Sequence, residues 1–174
     1  MFKELNILKP FFENPTKQFN VREIVGILKI SPTTASKNLK YFNTNKILKY
    51  QKDKIYDFYQ ADIDSIKYRD LKIYYSILKI RESGLVNEIN KFYIKPTIIL
   101  FGSVASEYDI ENSDLDIVII SEKTKEFPKK KEFENKIGKE LQMFIVKDLK
   151  NLKNSYLINN VLSGIVLQGE IKWI

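Results

Sequence analysis

Thr97-Ile98-Ile99-Leu100-Phe101-Gly102-Ser103, followed ten residues on by Ser113-Asp114-Leu115-Asp116-Ile117-Val118-Ile119-Ile120, is the stretch that decides how this chain is read. Thr97–Phe101 is a short continuous apolar run, the pattern of a strand covered on both faces. It breaks directly into a Gly-Ser turn. Ile117–Ile120 is a second such run. Strand alternation places Asp114 and Asp116 on one face and turns Leu115 and Ile117 to the other. Two carboxylates side by side at the start of a buried strand repel each other and are costly to desolvate. A divalent cation answers both problems, and oxygen-only ligands suit Mg²⁺ or Mn²⁺. Gly102 lets a phosphate approach the backbone closely. Ser103 adds a hydroxyl and an amide at an expected helix N-terminus, where anions are favoured. Together these parts describe a nucleoside triphosphate site. The Gly-Ser turn would hold the β- and γ-phosphates, and the aspartates a metal that bridges phosphates and activates the α-phosphorus.

This arrangement resembles the nucleotidyltransferase superfamily that includes DNA polymerase beta, and within it the minimal nucleotidyltransferases. Their signature is Gly-Ser, a spacer of this length, then Ser-Asp-x-Asp on a strand; it stands here as Gly102-Ser103 and Ser113-Asp114-Leu115-Asp116. The close match covers residues 97–120 and a looser one runs to the C-terminus. The resemblance implies an α/β domain with a mixed sheet, and metal-dependent transfer of a nucleoside monophosphate, AMP from ATP first, to a protein or small acceptor. It also implies a HEPN-domain protein as partner, in a toxin–antitoxin pair. Two departures from the family stand out. Where many members carry a basic residue and a glycine after the Gly-Ser, this chain has Ser106 and Glu107. The family's third carboxylate aligns with Gln142, which cannot act as a base; Glu140, two residues away on the same face of the strand at 140–146, is the catalytic stand-in.

Composition sets the outer limits. The 174 residues suffice for one ordinary domain or two small ones, and 44% hydrophobic with 29% charged residues is globular composition. There is no cysteine and no histidine, which removes disulfides, thiolate chemistry, the usual general base and the usual zinc ligand. Catalysis is left to carboxylates, lysines, hydroxyls or a metal held by oxygen. No apolar run approaches the roughly 18 residues of a membrane span, and the N-terminus lacks a secretory apolar core, so a cytoplasmic location is expected. The net charge of +7 is uneven: residues 1–82 hold 16 basic and 9 acidic side chains, residues 83–174 hold 13 of each. A basic half beside a balanced half points to two modules, the first facing a polyanion.

That first module, residues 1–61, reads as three helices and a hairpin. Leu5, Leu8 and Phe12 share a helical face interrupted by Pro10, where a kink or break is expected. Asn20 and Glu23 have capping-box spacing before Val21, Ile24, Val25 and Leu28. Ser31-Pro32 is a strong helix start, with Ala35, Leu39 and Phe42 pointing inward. The outer face of that third helix offers Thr33, Thr34, Ser36, Lys37 and Lys40. Two β-prone runs, 48–51 and 55–59, flank a basic turn at Lys52-Asp53-Lys54. This order resembles a winged helix-turn-helix domain. The resemblance implies double-stranded DNA as partner, the third helix in the major groove, and Lys52 and Lys54 on the backbone.

Residues 62–93 form a helical connector. A long helix capped by Asp62 or Asp64 runs to about Glu82 and is apolar nearly all round between Leu71 and Ile80, which suits burial within the chain or a homodimer contact. A second helix spans Leu85 to about Tyr93. The nucleotidyltransferase-like domain takes residues 94–174. In it Lys129-Lys130-Lys131 is a solvated face, 148–162 a helix, 164–169 a short strand or turn, and Trp173 a packing anchor. The whole is an α+β chain. Two functions are open: an active nucleotidyltransferase with a DNA-binding winged helix, favoured by the intact aspartates, or a DNA-binding regulator whose nucleotidyltransferase fold serves as nucleotide sensor or scaffold, favoured by Gln142 and Ser106-Glu107.

Overall fold

A computed structural model describes residues 5–106 and 113–171. Glu107 and Trp173 lie outside the described residues. The chain divides into two compact units, Met1–Tyr75 and Ser76–Ile174.

In the first unit a 3₁₀ turn, Leu5–Leu8, runs into α1 (Lys9–Glu13). Pro10 sits in the first turn of α1 rather than kinking a longer helix. Its missing N–H costs nothing there, because the first helical amides have no intrahelical acceptor. A two-residue strand, β1 (Phe19–Asn20), precedes α2 (Val21–Leu28). Asn20 caps α2 by a full capping box: its Oδ1 accepts from the Glu23 amide at 3.0 Å, and its own amide donates to Glu23 Oε2 at 2.8 Å. α3 (Pro32–Thr44) opens with Ser31 accepting from the Thr34 amide at 3.1 Å, and buries Ala35, Leu39 and Phe42.

The hairpin that follows is longer than β-propensity alone suggests. β2 (Leu48–Asp53) and β3 (Tyr56–Ala61) pair from Leu48–Ala61 to Asp53–Tyr56, so Lys52 and Asp53 belong to β2 and the turn is Lys54-Ile55. Lys54 takes φ +51°, the left-handed conformation that lets the strands close in two residues. β1 adds to β3, giving the order β1-β3-β2.

α4 (Ile66–Ser83) begins later than an Asp62 or Asp64 cap would place it. Those carboxylates turn to Lys49 instead, at 3.2 and 2.7 Å. The boundary between the units falls inside α4, after Tyr75. From Leu71 to Leu78 the helix is mostly half-buried, with Lys72 buried and Tyr74 exposed, not apolar-packed all round. Its N-terminal part belongs to the first core, where Leu8, Phe11, Phe19, Ile24, Leu39, Leu48 and Tyr68 are fully enclosed. The Tyr68 hydroxyl donates to the Phe11 carbonyl at 2.8 Å, which satisfies the one polar atom of a buried ring.

The second unit is built on a four-stranded mixed sheet. α5 (Leu85–Tyr93) leads into β4 (Thr97–Phe101) and β5 (Leu115–Ile120). α6 (Lys130–Ile137) crosses to β6 (Leu141–Val146), and α7 (Ser155–Leu162) leads to β7 (Ile165–Gln168). The strand order is β6-β5-β4-β7, with β5 and β6 parallel and the other pairs antiparallel. One face packs Ile98, Leu100, Leu115, Ile117 and Ile119 against α5 and α6. The other packs Ile99, Phe101 and Val118 under Leu149, Leu152 and α7. The helix expected over 148–162 is interrupted. Asp148 caps a 3₁₀ turn at Leu149–Asn151, and Asn154 caps α7 afresh by accepting from the Tyr156 amide at 2.9 Å. Side-chain acceptors that bind nearby amides compete with helix propagation.

Candidate active site

The two motif strands meet at their functional ends. Phe101, the last residue of β4, is the antiparallel partner of Asp116 on β5, so Gly102 leaves the sheet beside the Asp116 carboxylate. Gly102 has φ +72°, and a Cβ on it would collide with Asp116 Oδ2. Glycine is therefore required twice, for its backbone angle and for the space it leaves. The close approach that the sequence assigns to a phosphate is in part used by the protein's own carboxylate.

Ser103 does not start a helix among the described residues. Residues 103–106 close a turn, with the Ser106 amide donating to the Gly102 carbonyl at 3.1 Å and the Ser106 hydroxyl to the Ser103 carbonyl at 3.2 Å. Ser106, standing where a basic residue is expected, thus holds the turn shut.

Asp116 is half-buried in β5 and Asp114 is exposed one residue ahead of the strand. Asp116 shares its sheet face with Val118 and its partner Phe101, whereas Leu115 and Ile117 enter the opposite core. Burial, and then the negative charge of Asp114, push the Asp116 carboxyl above the usual carboxylate range. A cation between the two would relieve both causes. The pair fits a hard divalent ion held by one or two carboxylates and completed by substrate phosphates.

The remaining sequence candidates take definite places. Gln142 is the parallel register partner of Asp116, so an amide occupies the position of the third acid. Glu140 lies just before β6, and its carbonyl accepts from the Leu115 amide at 2.8 Å, which sets it level with Asp114 rather than Asp116. Among the described residues no group of three or more His, Cys, Asp or Glu converges on one point.

Two features escape a reading by motif. Lys139 Nζ donates to the Ser113 carbonyl at 2.9 Å, which brings a cation to the segment carrying Asp114. A cavity of about 350 Å³ borders the Gly102-Ser103 turn and is closed on its far side by Tyr156, Asn160 and Ser163 of the α7 segment. The spacing of those three, i, i+4 and i+7, was the available signal: a polar and aromatic stripe on one helix face. A larger cavity, about 840 Å³, opens at the other end of the sheet, where Thr97 and Ile120 lie. It contains no motif residue, and its Lys147 pairs with Glu122 at 3.6 Å, so chemistry places the site at the Gly-Ser end.

In the first unit Thr33, Thr34, Lys37 and Lys40 are exposed on α3 and Ser36 is half-buried. The Thr34 hydroxyl is engaged with Ser31 at 2.8 Å. Lys52 is exposed on β2 and Lys54 at the hairpin turn.

This is the arrangement that the resemblance to nucleotidyltransferases implies: a mixed sheet that sets a Gly-Ser turn against Asp116 on β5, with Asp114 one residue ahead of the strand. In agreement, residues 85–170 match the family described as Polymerase beta, Nucleotidyltransferase, which supports a nucleotidyltransferase domain in the second unit. No curated protein and no solved structure matches the chain. No helix among the described residues is long and apolar enough to cross a membrane.

Proposed function

We propose that the second unit is a metal-dependent nucleotidyltransferase that takes a nucleoside monophosphate, AMP from ATP first, to a protein or small acceptor. The observation that carries this reading is the Asp116 carboxylate lodged against Gly102, with the charge of Asp114 close enough to act on it. An acceptor oxygen forms a bond to the α-phosphorus, the bond from that phosphorus to the β-phosphate oxygen breaks, and pyrophosphate leaves. Mg²⁺ or Mn²⁺, held by Asp114 and Asp116, would neutralise charge on the phosphates. Gly102 and Ser103 orient the β- and γ-phosphates. Glu140 is the carboxylate near enough in the strand order to receive the acceptor proton; Gln142 can orient a group but takes no proton.

A second reading has its own support. Gln142 beside Asp116 removes the acid expected there, and the first unit has the helix, helix, helix, hairpin order of a winged helix-turn-helix, with Thr33, Lys37, Lys40, Lys52 and Lys54 exposed. In this reading the chain is a DNA-binding regulator, and nucleotide bound at the Gly-Ser turn is a signal rather than a substrate. A HEPN-domain protein as acceptor or partner follows from the family resemblance alone.

Calorimetric titration with Mg-ATP, comparing the wild type with Asp114→Asn/Asp116→Asn, tests the site. Metal-dependent binding lost in the double variant supports it. No binding to the wild type at millimolar nucleotide sinks both nucleotide readings. Transfer of label from α-labelled ATP to a co-purifying acceptor then separates turnover from sensing.

A further inference from the structure

We propose that the outer face of α7 is the nucleoside cradle of this site, with Tyr156 covering the base or ribose, Asn160 supplying hydrogen bonds, and the Ser163 hydroxyl, which donates to the Asn159 carbonyl at 3.0 Å, left to accept one. The inference rests on the nucleotide reading of the Gly102-Ser103 turn and extends it to a part of the chain outside the motif.

Three observations carry it. The first is position. Asp116, Phe101 and Val118 lie on the sheet face that α7 packs against, through Val161, Leu157 and Ile158. A triphosphate on the Gly-Ser turn therefore has α7 beside it and not across the sheet. The second is shape. The cavity of about 350 Å³ between the turn and α7 suits a base with its sugar, at the small end of ligand pockets.

The third is chemistry. Tyr156 is 72% exposed, an aromatic ring left in solvent at the rim of the cavity. An exposed ring has a free face on which any base can stack. Asn160 and Ser163 lie one and two turns further along the same face, and an amide offers both donor and acceptor to a base edge or a ribose hydroxyl. Among the described residues no lysine or carboxylate lines this cavity, which suits the uncharged end of a nucleotide.

The test uses the whole protein and two probes, Mg-ATP and Mg-triphosphate, the second lacking the nucleoside. Affinities are measured by calorimetry for the wild type, Tyr156→Ala, Tyr156→Phe and Asn160→Ala. The expected result is wild-type ATP binding tighter than triphosphate binding, and a loss of about tenfold for ATP in Tyr156→Ala, the lower range of one base–aromatic stack. Triphosphate binding should not change, and Tyr156→Phe should keep the ATP affinity because the ring remains. Tyr156 is exposed, so folding should survive, and a melting curve checks this. Equal affinity of Tyr156→Ala and wild type for ATP overturns the cradle while leaving the phosphate site intact. If the wild type binds neither probe, the underlying nucleotide reading falls, and the cradle with it.

Discussion

Replacing Asp116 by asparagine should stabilise the protein in the absence of metal and abolish its stabilisation by metal. The two effects have one cause. Asp116 is half-buried, lies against Gly102 and feels the charge of Asp114 two residues before it. Positions two residues apart on a strand are roughly 7 Å apart. At that distance two unit charges in a largely solvated setting (effective dielectric about 40–80) repel by about 0.6–1.2 kcal/mol. Asparagine has nearly the shape of aspartate, so the contact with Gly102 is kept while the repulsion goes. For a unit of the size of Ser76–Ile174, such a gain raises the melting temperature by about 2–10 °C. The sign with pH follows from the raised carboxyl. Its penalty is absent below the unfolded-state pKa of about 3.9 and grows as pH rises through the higher folded-state value. The advantage of Asp116→Asn should thus vanish in acid and grow toward neutral pH. Scanning calorimetry of both proteins, with and without Mn²⁺, reads all of this. At ten times the dissociation constant the metal should stabilise the wild type by about 1.4 kcal/mol and the variant not at all. A metal-free variant that melts below the wild type would refute the reasoning, because Asp116 would then be holding structure rather than waiting for a cation.

Gly102→Ala forces a Cβ into Asp116 Oδ2 at φ +72°; it should cost at least about 1–2 kcal/mol from the left-handed backbone alone and remove metal-dependent ATP binding, read by melting and calorimetry. Gln142→Asp sets a third carboxylate beside Asp116; Mn²⁺ affinity should rise, and unchanged affinity would mean that β6 does not face the ion. Lys37→Ala with Lys40→Ala should weaken binding to duplex DNA and lower the magnitude of its salt slope by about 1.8, if both contact phosphates; an unaltered slope counts against α3 as the contact. Glu88 accepts from Lys129 and Lys91 at 2.7 and 2.8 Å, which holds its carboxyl down to about 2. A lowered acid gives stability above its unfolded value and loses it as pH falls to about 2, so Glu88→Gln should melt below the wild type at pH 6 and converge with it near pH 2.

What the sequence shows of this protein and what it conceals divide along physical lines. The strands Thr97–Phe101 and Leu115–Ile120, the capping box at Asn20 and the Ser31-Pro32 helix start are encoded locally, by runs and caps that need no partner. β1 is not: two residues become a strand only because Phe19 and Asn20 find Tyr59 and Phe58. The interruption of 148–162 depends on Asp148 and Asn154 winning backbone amides from a helix that periodicity favours. The alternation that sets Asp116 opposite Leu115 and Ile117 was legible, but the contact made by Gly102 was not, since the atom it makes room for belongs to another strand. Gln142 shows why register matters more than type here. Sequence marks an amide where an acid is expected; the parallel ladder places it directly beside Asp116 and sets Glu140 level with Asp114. If Glu140 takes the proton, it does so from a point one repeat nearer the start of the strand, and the acceptor must enter from the Asp114 side. That side is also where Lys139 is tethered to the Ser113 carbonyl.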